Sequence, residues 1–187
     1  MRSVPDFTTY KPLSRFFCGE KHSYERDVND AVRELLDFSS EDAAGVEVRA
    51  AEERATGDLI GMAVFYKKRL ETVPESDTYA DAVYFALLSV TAPYRGRRMP
   101  DGVMRIGSFL LCDALARIEA KWGDPMPHVW GVVHRDNKPS QRILAGHGFW
   151  PIGRELEYPV HLRSERLDWA RGFSRQTIEA VEMASAS

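Results

Sequence analysis

The stretch from Val83 to Leu115 reads VYFALLSVTAPYRGRRMPDGVMRIGSFLLCDAL, and it predicts a buried strand, a turn and an amphipathic helix. Residues 83–90 are almost all apolar and rich in strand-forming types, and Pro93 ends the run because proline cannot donate to a β-ladder. Beyond the turn, apolar residues recur at the spacing of one helix face. That face carries Val103, Ile106, Gly107, Leu110, Leu111, Ala114, Leu115 and Ile118.

The basic turn, Arg95–Arg98, lies between this strand and this helix. Gly96 and Gly102 let backbone N–H groups come close to a ligand. A helix start adds unpaired N–H donors and a partial positive charge, and arginine adds a full charge with forked donors. The stretch therefore predicts an anion site, and a phosphate is the ligand that this set of donors favours.

Composition and charge limit the class of protein. With 187 residues, 44% hydrophobic and 28% charged, we expect a single domain over residues 1–187 with a sizeable core. A net charge of -3 and a pI near 6.0 argue against a nucleic-acid partner. No apolar run suits a membrane span or a signal peptide, so we expect a cytoplasmic protein without a membrane partner. The two cysteines, Cys18 and Cys112, favour neither a disulfide nor a metal site.

The rest of the chain alternates helix and strand patterns. Residues 1–20 look irregular and residues 71–82 look like a loop. Helices are predicted over 24–38, from Asn137 onward and over 174–184; a hairpin over 46–66; and strands over 129–134, from Phe149 and over 154–170. A strand–helix–strand crossover makes strands 83–90 and 129–134 parallel. The fold class is therefore α/β, a mixed sheet with helices on its faces.

Two surface features leave alternatives open. Nine acidic residues lie between Glu20 and Glu47, and they form either a solvated helix face or a wall that attracts a cationic amine. The apolar residues near the C-terminus pack either on their own domain, which is the default, or on a second subunit in a homodimer. These residues are Trp169, Phe173, Ile178 and Val181.

Two motifs resemble those of the GNAT N-acetyltransferase superfamily. VTAPYRGR at 90–97, followed by IGSFLL at 106–111, is similar to its acetyl-CoA pyrophosphate motif, and VHRDNKPS at 133–140, with Gly148-Phe149, is similar to its second motif. The resemblance covers about residues 46–155. It implies a mostly antiparallel sheet with a parallel splayed strand pair and helices on both faces. It also implies acetyl transfer from acetyl-CoA, as co-substrate, to a primary amine of a small molecule or protein.

The resemblance also implies a cofactor site. The strand backbone would pair with the pantetheine arm, and the basic turn with the helix start would hold the pyrophosphate. Asn137 would contact the cofactor, although a plain N-cap explains it equally well. The implied cofactor-binding residues are Ser89, Val90, Thr91, Arg95, Gly96, Arg97, Arg98, Ile106, Gly107, Ser108, Asn137 and Ser140.

Residues 98–105 depart from the family pattern, because they stand where one glycine is usual. The excess of seven residues is about two helical turns. In one model the helix extends back to Asp101 as its N-cap, which places a carboxylate at the phosphate position. In the other, the helix starts near Ile106 and residues 98–104 bulge outward as a basic flap. The sequence leaves both models open.

The usual catalytic residues are missing. The strand over 83–90 has no carboxylate, and Leu144 stands where many members have a tyrosine. The remaining candidates are Tyr84, Ser89 and His134, for which a core, filler or surface role is an equal or better explanation. An amine can still attack directly, helped by proximity, by a backbone N–H near Val90 and by a weak or water-relayed base.

Two other functions stay open. Phe17-Cys18-Gly19 and Leu111-Cys112-Asp113-Ala114-Leu115 resemble stretches of the toxin-type transferases that acetylate aminoacyl-tRNA. The acidic pI and Leu144 argue against that function. The missing catalytic residues and the enlarged turn instead suit a non-catalytic acyl-CoA-binding or interaction module.

Overall fold

Seven strands form a sheet in the order β1-β2-β3-β4-β5-β7-β6. The computed structural model describes residues 1–39, 41–71, 79–123, 128–134, 136–155 and 166–171. The strands are β1 (Arg2–Ser3), β2 (Glu47–Glu52), β3 (Leu59–Glu71), β4 (Tyr79–Val90), β5 (His128–His134), β6 (Trp150–Glu155) and β7 (Arg166–Arg171). The α-helices are α1 (Lys11–Ser14), α2 (Ser23–Leu36), α3 (Ile106–Trp122) and α4 (Lys138–Ala145).

The strand directions confirm the predicted mixed sheet. The pairs β1–β2, β2–β3, β5–β7 and β6–β7 are antiparallel. β4 and β5 are parallel, from Ala82 opposite His128 to Phe85 opposite Gly131. Since β4 continues to Val90, the parallel ladder covers only its earlier part.

Several predicted boundaries were wrong. β3 runs to Glu71 and β4 begins at Tyr79, so residues 71–82 are not one loop. Lys67 and Lys68 are exposed on β3, and such charged residues hide a strand from a hydrophobic pattern. Residues 1–20 contain β1 and α1. β6 is the strand predicted from Phe149. Of the strand expected over 154–170, the structure describes 154–155, at the end of β6, and 166–170, in β7. The helix expected over 174–184, together with Phe173, Ile178 and Val181, lies outside the described residues.

The chain divides into two compact units, residues 1–66 with 86–117, and residues 67–85 with 118–187. The first unit has an apolar core between its N-terminal helices and strands β2, β3 and β4. That core includes Phe7, Leu13, Val32, Leu35, Val48, Met62, Val64 and Leu87. No helix in the described ranges is both long enough and apolar enough to cross a membrane.

The buried face of α3 confirms its predicted apolar stripe from Ile106 onward, since Leu110 and Leu111 are fully buried. Gly61 allows this packing, because a Cβ there would lie 2.6 Å from the Ser89 carbonyl oxygen and 2.7 Å from Leu110 Cδ1. Val103, in contrast, is 77% exposed. Val103, which the apolar spacing places on the helix face, therefore lies before the helix, which starts at Ile106.

Candidate functional site

The basic turn follows β4 through a short 3-10 helix, Ala92–Tyr94. Tyr94 N–H donates to Thr91 O at 3.0 Å, and Arg97 N–H donates to Tyr94 O at 3.2 Å. Gly96 has φ 70°, which favours glycine, and a Cβ there would meet no atom within 4 Å. The turn is thus tightly hydrogen-bonded, with open space beside its glycine.

The start of α3 leaves backbone donors available. Ile106 N–H donates to Arg97 O at 3.1 Å, and Phe109 N–H donates to Arg105 O at 3.0 Å. Arg105 therefore occupies the N-cap position, and the amides of Gly107 and Ser108 have no acceptor inside the helix. These two amides add their dipoles to the positive end of α3.

This geometry decides between the two models of residues 98–105. The helix starts at Ile106, as the flap model predicts, and the model with Asp101 as N-cap is wrong. Gly102 has φ 71°, outside the helical range, and Pro100 precedes it. Asp101 Oδ1 accepts instead from Val103 N–H at 2.9 Å.

The Arg95 guanidinium contacts Glu25 and Cys18. It forms an ion pair with Glu25, which is 3% exposed, and Nη2 lies 2.7 Å from Cys18 Sγ. Burial alone would raise the pKa of Glu25, but hydrogen bonds from Arg95 and from His22 N–H lower it below 4.5. Burial likewise opposes a rise in the pKa of Arg95, and the Glu25 hydrogen bond outweighs it. Arg95 thereby ties the basic turn to α2.

Sequence reasoning missed the polar group around Cys18. Cys18 Sγ lies 3.1 Å from Ser89 Oγ, and Cys18 N–H donates to Asn29 Oδ1 at 2.8 Å. Asn29 Nδ2 donates to Gly19 O at 2.9 Å. The available signal was Glu25, three residues after the N-cap His22, because that spacing is typical of a capping box.

Three other arginines stay near the helix start. The Arg97 guanidinium carbon lies 5.2 Å from the centroid of the Tyr94 ring. Arg98 and Arg105 are exposed, and their Cα atoms face each other across an antiparallel bridge. Within the described ranges, no carboxylate lies within 4 Å of the guanidinium nitrogens of these three arginines. Their charge is available to an anion.

The strand backbone predicted to hold the pantetheine arm is hydrogen-bonded on one edge of β4 and lacks a strand partner on part of the other, within the described residues. Thr91 N–H donates to Ile60 O at 2.9 Å, so this amide is already used. On the opposite edge of β4, the ladder with β5 covers Ala82–Phe85 only. Within the described residues, the backbone groups of 86–90 that face this edge have no strand partner. Val90 is half-buried there, whereas Ser89 is buried.

In the second unit, Asn137 is the N-cap of α4, which is one of the two roles considered for it from the sequence. Its Oδ1 accepts from Ser140 N–H at 3.2 Å. Lys138 N–H donates to Asp136 O at 2.8 Å, and Pro139 has no N–H. The first turn of α4 is therefore satisfied by its own residues.

The three candidate catalytic residues have different surroundings. The Tyr84 ring lies 4.5 Å from that of Trp130, and Lys68 Nζ lies 5.1 Å above it. Ser89 is buried against Cys18. His134 Nδ1 accepts from Asp136 N–H at 3.1 Å, so a neutral His134 carries its proton on Nε2.

The acidic segment is partly neutralised. Asp30 pairs with Arg33 at 2.7 Å and Glu47 pairs with Arg117 at 3.3 Å. Buried Glu25 pairs with Arg95. These contacts weaken the interpretation of residues 20–47 as a wall for cationic amines.

Comparison with known proteins identifies the fold. No family model and no curated protein matches the sequence. A bacterial toxin is similar at 20% identity and TM-score 0.61, covering 94% of this chain and 89% of its own. A Desulfovibrio desulfuricans protein assigned to the GNAT family of acetyltransferases is similar at 16% identity and TM-score 0.56, covering 90% of this chain and 95% of its own. The PaiA N-acetyltransferase of Thermoplasma acidophilum, solved with coenzyme A, is similar at 13% identity and TM-score 0.57, covering 92% of this chain and 98% of its own. The chain has the α/β fold of the GNAT acetyltransferases.

Proposed function

We propose that this protein is an N-acetyltransferase that transfers acetyl from acetyl-CoA to a primary amine of a small molecule or protein. The observation that carries the proposal is the pair of amides, Gly107 and Ser108, at the start of α3. The family resemblance implies a pyrophosphate at this helix start, and the two amides suit that ligand.

The surrounding residues fit such a ligand. Gly96 leaves open space beside the turn, and Arg97 has no carboxylate within 4 Å in the described residues. Backbone amides at a helix start and guanidinium groups are suited to phosphate oxygens. The free edge of β4 over 86–90 suits the amide-rich pantetheine arm. We therefore assign the pyrophosphate to Gly96, Arg97, Ile106, Gly107 and Ser108, and the arm to the backbone of Ser89 and Val90.

Arg95 and Thr91 act indirectly in this proposal. The Arg95 guanidinium is held by Glu25, so this arginine positions the basic turn. Thr91 donates its N–H to Ile60 and its hydroxyl to Leu59 O at 3.1 Å, which fixes the end of β4. Both residues shape the site without supplying a free donor.

Acetyl-CoA supplies an activated acetyl thioester. The amine nitrogen bonds to the carbonyl carbon, the C–S bond breaks, and the sulfur receives the proton that the amine loses. Positioning can account for much of the rate, and a backbone N–H near Val90 can polarise the carbonyl. Tyr84 and Ser89 remain candidates for proton transfer, and water completes the relay.

Calorimetric titration with acetyl-CoA and with CoA tests the first half of the proposal. We expect micromolar binding of both. A panel of primary amines, followed by detection of the released thiol, tests the second half. Binding without thiol release from any amine would instead identify a non-catalytic acyl-CoA-binding module.

Acetylation of aminoacyl-tRNA is the second candidate, supported by the sequence resemblance of the two toxin-like stretches. Cys18 and Gly19 are bound by Asn29, and Asp113 accepts from Arg49 Nε and Nη2 at 2.8 and 2.9 Å. Leu144, at the position of the tyrosine, is buried and cannot transfer a proton. Acetyl incorporation into charged tRNA, compared with free amines, separates the two substrates.

A further inference from the structure

Residues 98–105, which contain the seven-residue excess, form a hairpin. Arg98 and Arg105 are bridge partners, and Met99 N–H donates to Met104 O at 2.7 Å. Gly102 N–H donates to Met99 O at 2.8 Å, which closes the tip as a tight turn. The hairpin is therefore fixed by its own backbone hydrogen bonds.

Each end of the hairpin carries an arginine whose guanidinium contacts a backbone carbonyl. Arg98 Nη1 donates to Gly102 O at 2.8 Å and to Val103 O at 3.2 Å, which leaves Nη2 and Nε for another acceptor. Arg105 occupies the N-cap position of α3, and its Nη1 donates to Gly96 O at 3.5 Å, which leaves Nη2 and Nε for another acceptor. Because bridge partners lie about 5 Å apart at Cα, the two side chains start from neighbouring points. The only acid between residues 94 and 108 is Asp101, and its carboxylate accepts from Val103 N–H.

The positive charge of Arg98 and Arg105 is additional to the donors that a pyrophosphate needs. The Gly107 and Ser108 amides with Arg97 already offer donors to two phosphate groups. CoA carries a third phosphate, the 3′-phosphomonoester, whose charge at neutral pH is close to -2. An arginine fork suits a terminal phosphate, since it can donate to two oxygens at once.

We propose that Arg98 and Arg105 form a subsite for the 3′-phosphate of CoA, so that the hairpin selects CoA over 3′-dephospho-CoA. The subsite rests on the cofactor site proposed above. It gives the hairpin a role in ligand selection, whereas the flap model assigned it only a place outside the helix.

Calorimetric titrations with CoA and 3′-dephospho-CoA test this subsite in the wild type and in the double variant R98A/R105A. We expect the wild type to bind CoA at least about tenfold more tightly than 3′-dephospho-CoA, a difference of about 1.4 kcal/mol. In R98A/R105A, CoA affinity should fall to that of 3′-dephospho-CoA, whose own affinity should stay unchanged. R98K/R105K should recover part of the preference, because it keeps charge without the fork.

The control is R54A, which removes an exposed arginine outside the hairpin and should leave both affinities unchanged. Equal wild-type affinities for the two ligands would overturn the subsite and leave the cofactor site intact. An equal loss of both affinities in R98A/R105A would also overturn it, because these arginines would then serve the pyrophosphate. Absence of binding by both ligands would overturn the subsite and the proposed function together.

Discussion

The helices α3 and α4 each follow a strand, but the backbone N–H groups of their first turns differ in whether they are already hydrogen-bonded. In α4, Asn137 and Asp136 accept the N–H groups of Ser140 and Lys138, and a proline removes the remaining donor. In α3, no side chain performs this role for Gly107 and Ser108. A helix start can bind an anion only when its amides are not already satisfied. The comparison shows that capping, more than the presence of a helix, distinguishes a structural turn from a candidate binding turn.

Giving α3 a carboxylate at its start should produce the largest effect. Ser108→Asp places a carboxylate at the third helical position, where it favours the helix dipole and repels phosphate. We expect acetyl-CoA affinity to fall by about a hundredfold, roughly 2.7 kcal/mol, with no loss of folding stability. Calorimetry and thermal unfolding measure the two quantities.

Ala116→Asp is the charge control, because residue 116 is exposed farther along the same helix. It should bind acetyl-CoA like the wild type. If Ser108→Asp also retains wild-type affinity, the start of α3 is not the pyrophosphate site.

Removing the charge of Glu25 should produce the next effect. Glu25→Gln leaves Arg95, whose side chain is 36% exposed, without its ionic partner. A broken buried pair costs 3–5 kcal/mol, but solvent around Arg95 reduces this, and we expect about 2 kcal/mol. For a chain of this size the Tm should fall by about 5 °C. The exposed Glu20→Gln is the matched control, and a Tm equal to that control would show that the pair is not stabilising.

The same pair should give the protein an acid-sensitive stability. Because the folded pKa of Glu25 lies below 4.5, its stabilisation is fully present above that value and is lost as pH falls through the folded pKa. Urea unfolding at about pH 6 and about pH 3.5 should therefore show a smaller loss of stability in Glu25→Gln than in the wild type. Equal losses would assign the acid sensitivity to other carboxylates, such as Glu52, whose pKa the Tyr10 hydrogen bond lowers.

Sequence patterns predicted the part of the fold where local and tertiary preferences agree. The alternation of β4 and α3, and the cap at Asn137, follow from local composition. The start of α3 could not be predicted in this way. Val103 continues the apolar spacing of the helix, but Gly102, just before it, has a positive φ that is not helical. The partner of Arg95 lies 70 residues away at Glu25, and no local pattern joins two such distant residues.

Asn137 offers the smallest effect and the finest test of the comparison. Its cap uses Oδ1, so Asn137→Ala should cost about 1 kcal/mol of folding stability. Asn137→Asp keeps a cap oxygen but removes the amide donor, and it should recover that stability. If Nδ2 donates to the cofactor, as the family resemblance implies, both variants should lose about fivefold in acetyl-CoA affinity, near 1 kcal/mol. Chemical denaturation and calorimetry separate the two roles, because wild-type affinity in Asn137→Asp would leave Asn137 as a cap alone.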